Sequence, residues 1–263
     1  MIDLHTHLLP GWDDGAGGWE EARRMAEIAL EDGVRKIVLT PHVFRLSKRL
    51  DEFSVLEERL NEFLEKMGGA GIDFFRGAEI YVHPEIVDSI RQADLSINGS
   101  RYFFLEFPPD YVLPGVKDLL FSIMLEGFTP IISHPERNVV FAQRPDLLCD
   151  LIRAGCLAQI TAKSITGEFG SETRKTAQAF LISNLVHLIA SDAHNSAHRP
   201  PRLGAGVEEA GKIVGQERAW AMVREVPQAI LDNQEVPDFG EPIDPARRKK
   251  WMVKLPWRKA KIP

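Results

Sequence analysis

Two histidines, His5 and His7, stand one residue apart in the opening run DLHTHLLPGWDDGA, and Asp14 follows in the same run. Further along come TPH with His42, RGAE with Glu79, LEF with Glu106, ISHPER with His134, and ASDAH with Asp192 and His194. Imidazole and carboxylate without thiolate suit Mn²⁺, Fe²⁺ or Zn²⁺ at open catalytic positions, not a structural cysteine-zinc knot. Residues two apart on a strand project from one face, so His5 and His7 can chelate a single ion, and Asp192 and His194 repeat that spacing. Nine ligands exceed the needs of one ion, so two or three bridged divalent ions are expected. Clustered ions of this kind turn water into a nucleophile and clamp both oxygens of an in-line phosphoryl displacement. A phosphate also calls for positive charge, and Arg137 in HPER and Arg199 in SDAHNSAHRP lie beside ligands with the planar fork that phosphate recognition uses.

These residues need a scaffold that gathers them. Short β-rich runs recur at 1–6, 35–40, 72–79, 102–107, 129–134, 156–161 and 186–191, with helical stretches between them such as 19–33, 50–69 and 144–155. In the second helical stretch Phe53, Leu56, Leu60, Phe63, Leu64 and Met67 keep the i, i+3/i+4 spacing of an amphipathic helix. Strands alternating with helices predict parallel βα units, and seven in succession predict a (β/α) barrel. The competing doubly wound sheet carries a glycine-rich phosphate loop after its first strand, where this chain reads HTHLLPG. In a parallel barrel all strand ends meet at one mouth. A lone strand-end histidine is usually a satisfied polar residue, and a lone aspartate after a strand is usually a helix N-cap. Nine such residues on six of seven strand ends read as a site, with the sixth strand contributing nothing obvious. His83 and His187 read as loop and core residues.

Composition bounds the partners. Of the 263 residues, 44% are hydrophobic and 27% charged, the profile of an ordinary globular chain. The N-terminus lacks a basic n-region and its apolar run is broken by Asp3, His5 and His7, which argues against a signal peptide. The two cysteines, Cys149 and Cys156, read as small buried residues in a reducing cytoplasm. Residues 244–263 hold eight Lys or Arg against one Asp, so a tail of +7 leaves −13 on the rest of a chain whose total is −6. A body that acidic is not a nucleic-acid binder. The basic segment 241–263 reads as a solvated extension beyond a domain at 1–240, with peripheral contact to an anionic membrane or an acidic partner as the alternative.

Taken in order, DLHTHLLPGWDDGA, TPH, GAEIYV, LEFP, SHPER and SDAHN resemble the polymerase-and-histidinol-phosphatase (PHP) superfamily. They are most similar to the manganese-dependent bacterial tyrosine phosphatases encoded with capsule and exopolysaccharide genes. The resemblance runs over about residues 1–235, and HxH with LPGxDDGA is its most specific part. It implies an α/β fold, a distorted seven-stranded (β/α)7 TIM-like barrel of the PHP type, holding three metal ions, manganese first with iron, zinc or cobalt as alternatives. His5, His7, Glu79 and Asp192 would hold the first ion. Glu79, Glu106 and His134 would hold the second, and Asp14, His42 and His194 the third. Arg137 and Arg199 match the substrate-phosphate arginines. The implied substrate is phosphotyrosine on a membrane-associated bacterial tyrosine kinase that controls polysaccharide export, hydrolysed by metal-activated hydroxide without a covalent phosphoenzyme. A histidinol phosphatase or other small-molecule or nucleotide phosphoesterase is the alternative, and a non-enzymatic metal-binding scaffold is the third reading. Three features depart from the family pattern: Trp12 at the mouth, the stretch after His42, and the basic tail with Trp251 and Trp257.

Overall fold

The computed structural model describes residues 1–43, 51–69, 71–92 and 94–245. Most of the basic tail, with both its tryptophans, and residues 44–50 of the stretch after His42 lie outside the described residues. Among the described residues there are nine strands: β1 (Ile2–Thr6), β2 (Lys36–Leu39), β3 (His42–Val43), β4 (Asp73–Arg76), β5 (Glu79–Tyr81), β6 (Tyr102–Glu106), β7 (Thr129–Ile132), β8 (Leu157–Thr161) and β9 (Leu188–Ala190). They form a three-stranded sheet in the order β1-β2-β4 and a six-stranded sheet in the order β3-β5-β6-β7-β8-β9. Every pairing is parallel.

This differs from one run of seven strands, because the strand expected at 35–40 is followed by a separate short one, β3, and the strand expected at 72–79 is broken in two and runs on to Tyr81. Pro41 has no N–H for the ladder and separates β2 from β3. Gly77 separates β4 from β5, where a Cβ would come within 2.8 Å of the Val38 side chain and 3.3 Å of the Leu39 carbonyl. The backbone there passes too close to β2 for any side chain. At each break the chain passes from one sheet to the other, β2 and β4 belonging to the three-stranded sheet and β3 and β5 to the six-stranded one. The chain after β9 returns to β1: Asp192 N–H donates to the His5 carbonyl (2.9 Å) and His7 N–H to the Ala193 carbonyl (2.8 Å).

Period-2 alternation divides the strand residues between two buried clusters. Ile37, Leu39, Phe103, Leu105, Ile132, Ile160 and Ile189 pack with the helices, including Met25 and Ala29 of the helix Trp19–Glu31 and Leu56, Leu60 and Phe63 of the helix Asp51–Met67. Val38, Phe104, Ile131, Leu157 and Leu188 form the second cluster, joined by Val226, Ile230 and Leu231 of the helix Glu225–Leu231. The His5 ring lies 4.7 Å from the Phe104 ring, so this cluster forms the floor beneath the strand ends. Among the described residues no helix is long and apolar enough to cross a membrane.

Candidate metal centre

All nine ligand-type side chains meet at the carboxyl ends of the strands. His5 Nε2 lies 3.2 Å from His7 Nε2 and 3.1 Å from Glu79 Oε2. Asp192 Oδ1 is 3.6 Å from His5 Nε2 and 3.5 Å from His7 Nε2. His134 Nε2 sits 3.2 Å from the other Glu79 oxygen. On the far side, Asp14 Oδ1 is 3.4 Å from both His42 Nε2 and His194 Nε2, while His42 Nδ1 faces Glu79 (3.2 Å) and Glu106 (3.4 Å). Four overlapping sets result: His7, Asp14, His42 and His194; His5, His134 and Asp192; His5, His7 and Glu79; and His42, Glu79 and Glu106. Glu106 therefore falls in with His42 and Glu79, whereas the resemblance groups it with His134.

Atoms that share one ion at about 2.0–2.2 Å sit roughly 3.0–3.6 Å apart, which is the spacing found here. Both Glu79 oxygens are buried, and the nearest polar neighbours they meet are imidazole nitrogens, the atom type that shares a divalent ion with a carboxylate. The residues present therefore fit hard-to-borderline divalent cations.

Neighbouring groups aim the imidazoles. Asp13 Oδ2 accepts from His7 Nδ1 (2.8 Å) and from the His42 N–H (2.9 Å), and Asp13 Oδ1 accepts from Gly15 N–H (3.0 Å). Burial raises the Asp13 pKa, but the hydrogen bond and charge of His7, with the His42 amide, hold it below the usual range. The His7 proton thus stays on Nδ1 and Nε2 turns to the cluster. Gln159 does the same for His5, whose Nδ1 lies 3.0 Å from Gln159 Oε1. The His134 N–H also donates to that oxygen at 3.3 Å, which identifies it as the carbonyl of the amide. The sixth predicted strand, β8, therefore does contribute, through a side chain that orients a ligand. The one signal for Gln159 in the sequence is an amide set between Ala158 and Ile160 in the CLAQIT run, and residue type alone does not mark it as part of a site.

The carboxylates of Glu79, Asp192 and Asp14 are held in their charged form. Burial opposes the charged form of Glu79, yet the His5 charge and hydrogen bonds from His134, His5 and His7 keep the carboxyl well below the usual range. Asp192 is likewise buried but held well below it by the His7 hydrogen bond and the charges of His5 and Arg137. Asp14 is lowered by hydrogen bonds from His194 and His42. Burial, with the Arg137 charge, pushes His134 down to about 4, and His194 is lowered chiefly by burial, which keeps both rings neutral. Asp3 is not part of the cluster. It accepts from the Ser191 N–H (3.0 Å), and burial pushes it up to about 6.

Asp192 and His134 both adopt left-handed backbone, with φ of 51° and 32°. Such conformations cost energy and persist where function needs the side chain re-aimed. After His134 the turn Pro135–Arg137 is pinned by Glu136, whose Oε1 accepts from Thr161 N–H (3.0 Å) and the Ser164 hydroxyl (2.6 Å). The turn delivers Arg137 to Asp192 Oδ2, which also accepts from Arg199 Nη2 at 2.5 Å. Asp192 so presents one oxygen to the imidazoles and the other to both guanidiniums. The Phe169 ring lies beneath the two, 5.3 Å from Arg137 and 5.9 Å from Arg199. No titratable group marks Phe169 in the sequence; only the glycines around it signal a turn. Trp12 is half-buried at the rim, and its Nε1–H donates to the His42 carbonyl (3.1 Å).

A parallel α/β fold with an imidazole–carboxylate cluster and paired arginines at its strand ends defines a metal-dependent hydrolase. The family described as capsular polysaccharide synthesis, CpsB/CapC, matches residues 1–232, and the chain belongs to it. The tyrosine-protein phosphatase YwqE of Bacillus subtilis is 34% identical over 253 residues, 95% of this chain and 98% of that protein. The putative tyrosine-protein phosphatase CapC of Staphylococcus aureus is 38% identical over 204 residues, 76% of this chain and 79% of that protein. A chain from the crystal structures of YwqE from Bacillus subtilis and CpsB from Streptococcus pneumoniae, described as unique metal-dependent tyrosine phosphatases, matches with a TM-score of 0.86. It is 31% identical and covers 93% of this chain and 99% of that one.

Proposed function

We propose that this protein is a metal-dependent tyrosine-protein phosphatase of the cytoplasm. Its substrate is a phosphotyrosine on a bacterial tyrosine kinase that regulates capsule or exopolysaccharide synthesis. The catalytic unit is residues 1–240, read as one distorted seven-stave barrel whose two sheets are joined at the breaks around Pro41 and Gly77. The observation that carries the reading is the meeting of nine N/O ligands and two arginines around Asp192, in a chain of the CpsB/CapC family.

Two or three divalent ions, manganese first, would be held by His5, His7, Asp14, His42, Glu79, Glu106, His134, Asp192 and His194, and they supply an activated water and Lewis acidity toward the phosphoryl oxygens. Arg137 and Arg199 bind the non-bridging oxygens of the phosphate and offset the charge that builds on them. Asp192 Oδ2 holds both forks at the cluster edge until substrate takes its place beside them. A tyrosine leaving group has a pKa near 10, so its departure needs little help from a protein acid. Thiol chemistry is disfavoured, since Cys149 and Cys156 are both buried and burial pushes the Cys156 thiol up to about 12.

A chelator should abolish turnover of a phosphotyrosine peptide, added manganese should restore it, and a thiol alkylator should leave it unchanged. The peptide should also be turned over faster than histidinol phosphate. Activity that survives the chelator and is lost to alkylation would refute the mechanism, and faster turnover of histidinol phosphate would refute the substrate.

A further inference from the structure

Phe169 has no part in metal binding, yet it is held at the site with care. It sits in a four-residue turn closed by Gly170 N–H donating to the Gly167 carbonyl (2.9 Å), and both glycines adopt left-handed φ of 95°. A Cβ on Gly167 would lie 3.0 Å from the Arg174 side chain, so the turn tolerates little else at that corner. Lys163 ties the turn to the loop that carries Arg199. Its Nζ donates to the His198 carbonyl at 2.5 Å and pairs with Glu168 at 2.7 Å. The half-buried ring of Phe169 therefore has a fixed place, under both guanidiniums at once.

That arrangement answers a problem the site poses. Arg137 and Arg199 reach it from different loops on long, flexible side chains, and one Asp192 oxygen is their shared carboxylate partner. Arg199 Nη2 donates to the Asp192 carbonyl as well (3.1 Å), yet Asp192 engages each fork through one nitrogen only, which leaves the two planes free to turn. An aromatic face can fix them, because its negative quadrupole attracts each cation from a defined direction. We propose that Phe169 is the positioning residue for both phosphate-binding arginines, setting their forks for one phosphate group. The inference rests on the reading of those arginines as the phosphate clamp.

The test uses the full-length, manganese-loaded protein and its Phe169→Leu and Phe169→Trp variants. Leucine keeps apolar bulk but lacks the quadrupole; tryptophan restores it. Calorimetric titration with inorganic phosphate should show binding weakened roughly ten-fold in Phe169→Leu, about 1.4 kcal/mol, and recovered to within about three-fold in Phe169→Trp. With para-nitrophenyl phosphate, KM should rise in step with the phosphate Kd while kcat changes less, as expected for lost uniform binding. Wild-type phosphate affinity in Phe169→Leu, or a Phe169→Trp variant as weak as leucine, overturns the proposal. Should the wild-type protein hydrolyse no phosphate ester, the phosphatase reading fails instead, and the calorimetry still decides the role of Phe169.

Discussion

Replacing Asp13 with asparagine probes whether an oriented imidazole, and not mere proximity, builds the metal centre. The Asp13 carboxylate is almost fully buried and accepts three hydrogen bonds, from His7 Nδ1, His42 N–H and Gly15 N–H. An amide offers only one acceptor atom. If its oxygen faces His7 and His42, its NH₂ opposes the Gly15 N–H; if reversed, the NH₂ opposes two donors and forces His7 to the other tautomer. In either case one buried donor loses its partner, and the charge assistance to His7 is gone. Hydrogen bonds to charged groups contribute about 1.5–3 kcal/mol each. Loss of a carboxylate that orients a ligating histidine lowers metal affinity roughly 10–100-fold, or about 1.4–2.8 kcal/mol. Competition against a fluorescent chelator reads the manganese affinity directly, and circular dichroism melts of the metal-free protein show whether the fold persists. A folded Asp13→Asn protein binding manganese within about two-fold of wild type would refute the argument.

Gly15→Ala should strip the metal without replacing a ligand, since a Cβ there would overlap the His7 carbonyl oxygen and Cβ and displace that ring. Overpacking of this kind costs about 1–3 kcal/mol, so elemental analysis should find metal lost and melts should show lowered Tm; full metal occupancy would contradict it. His187 should make stability pH-dependent away from the centre. Burial, then the Arg218 charge, pushes it down to about 4 from 6.5. Between those values the unfolded chain binds more protons than the folded one, so this contribution is intact above pH 6.5 and is lost as pH falls toward 4. The gap corresponds to about 3 kcal/mol, trimmed to about 2 by the residue's partial exposure. Because His187 Nδ1 accepts from the Ala158 N–H (3.1 Å), His187→Asn can keep an acceptor there while flattening urea-measured stability across that window; an unchanged slope would count against it.

The sequence by itself determined the parallel βα plan and which side chains are of a type to bind a cation or a phosphate. Residue type fixes what an atom can bind, and a two-residue period fixes which face of a strand it leaves from, both being local properties. His5 and His7 could therefore be paired on sight. Pro41 and Gly77 were visible too, but their effect was not: a strand break matters only through the neighbour it releases, and that neighbour comes from elsewhere in the chain. Tertiary structure alone decided that the chain passes between two sheets at Pro41 and Gly77, that Glu106 falls in with His42 and Glu79, and that Gln159 turns the ring of a histidine 154 residues away. Phe169 is the extreme case. Its type says nothing of phosphate, and its role exists only because two cations from other loops are folded onto its ring.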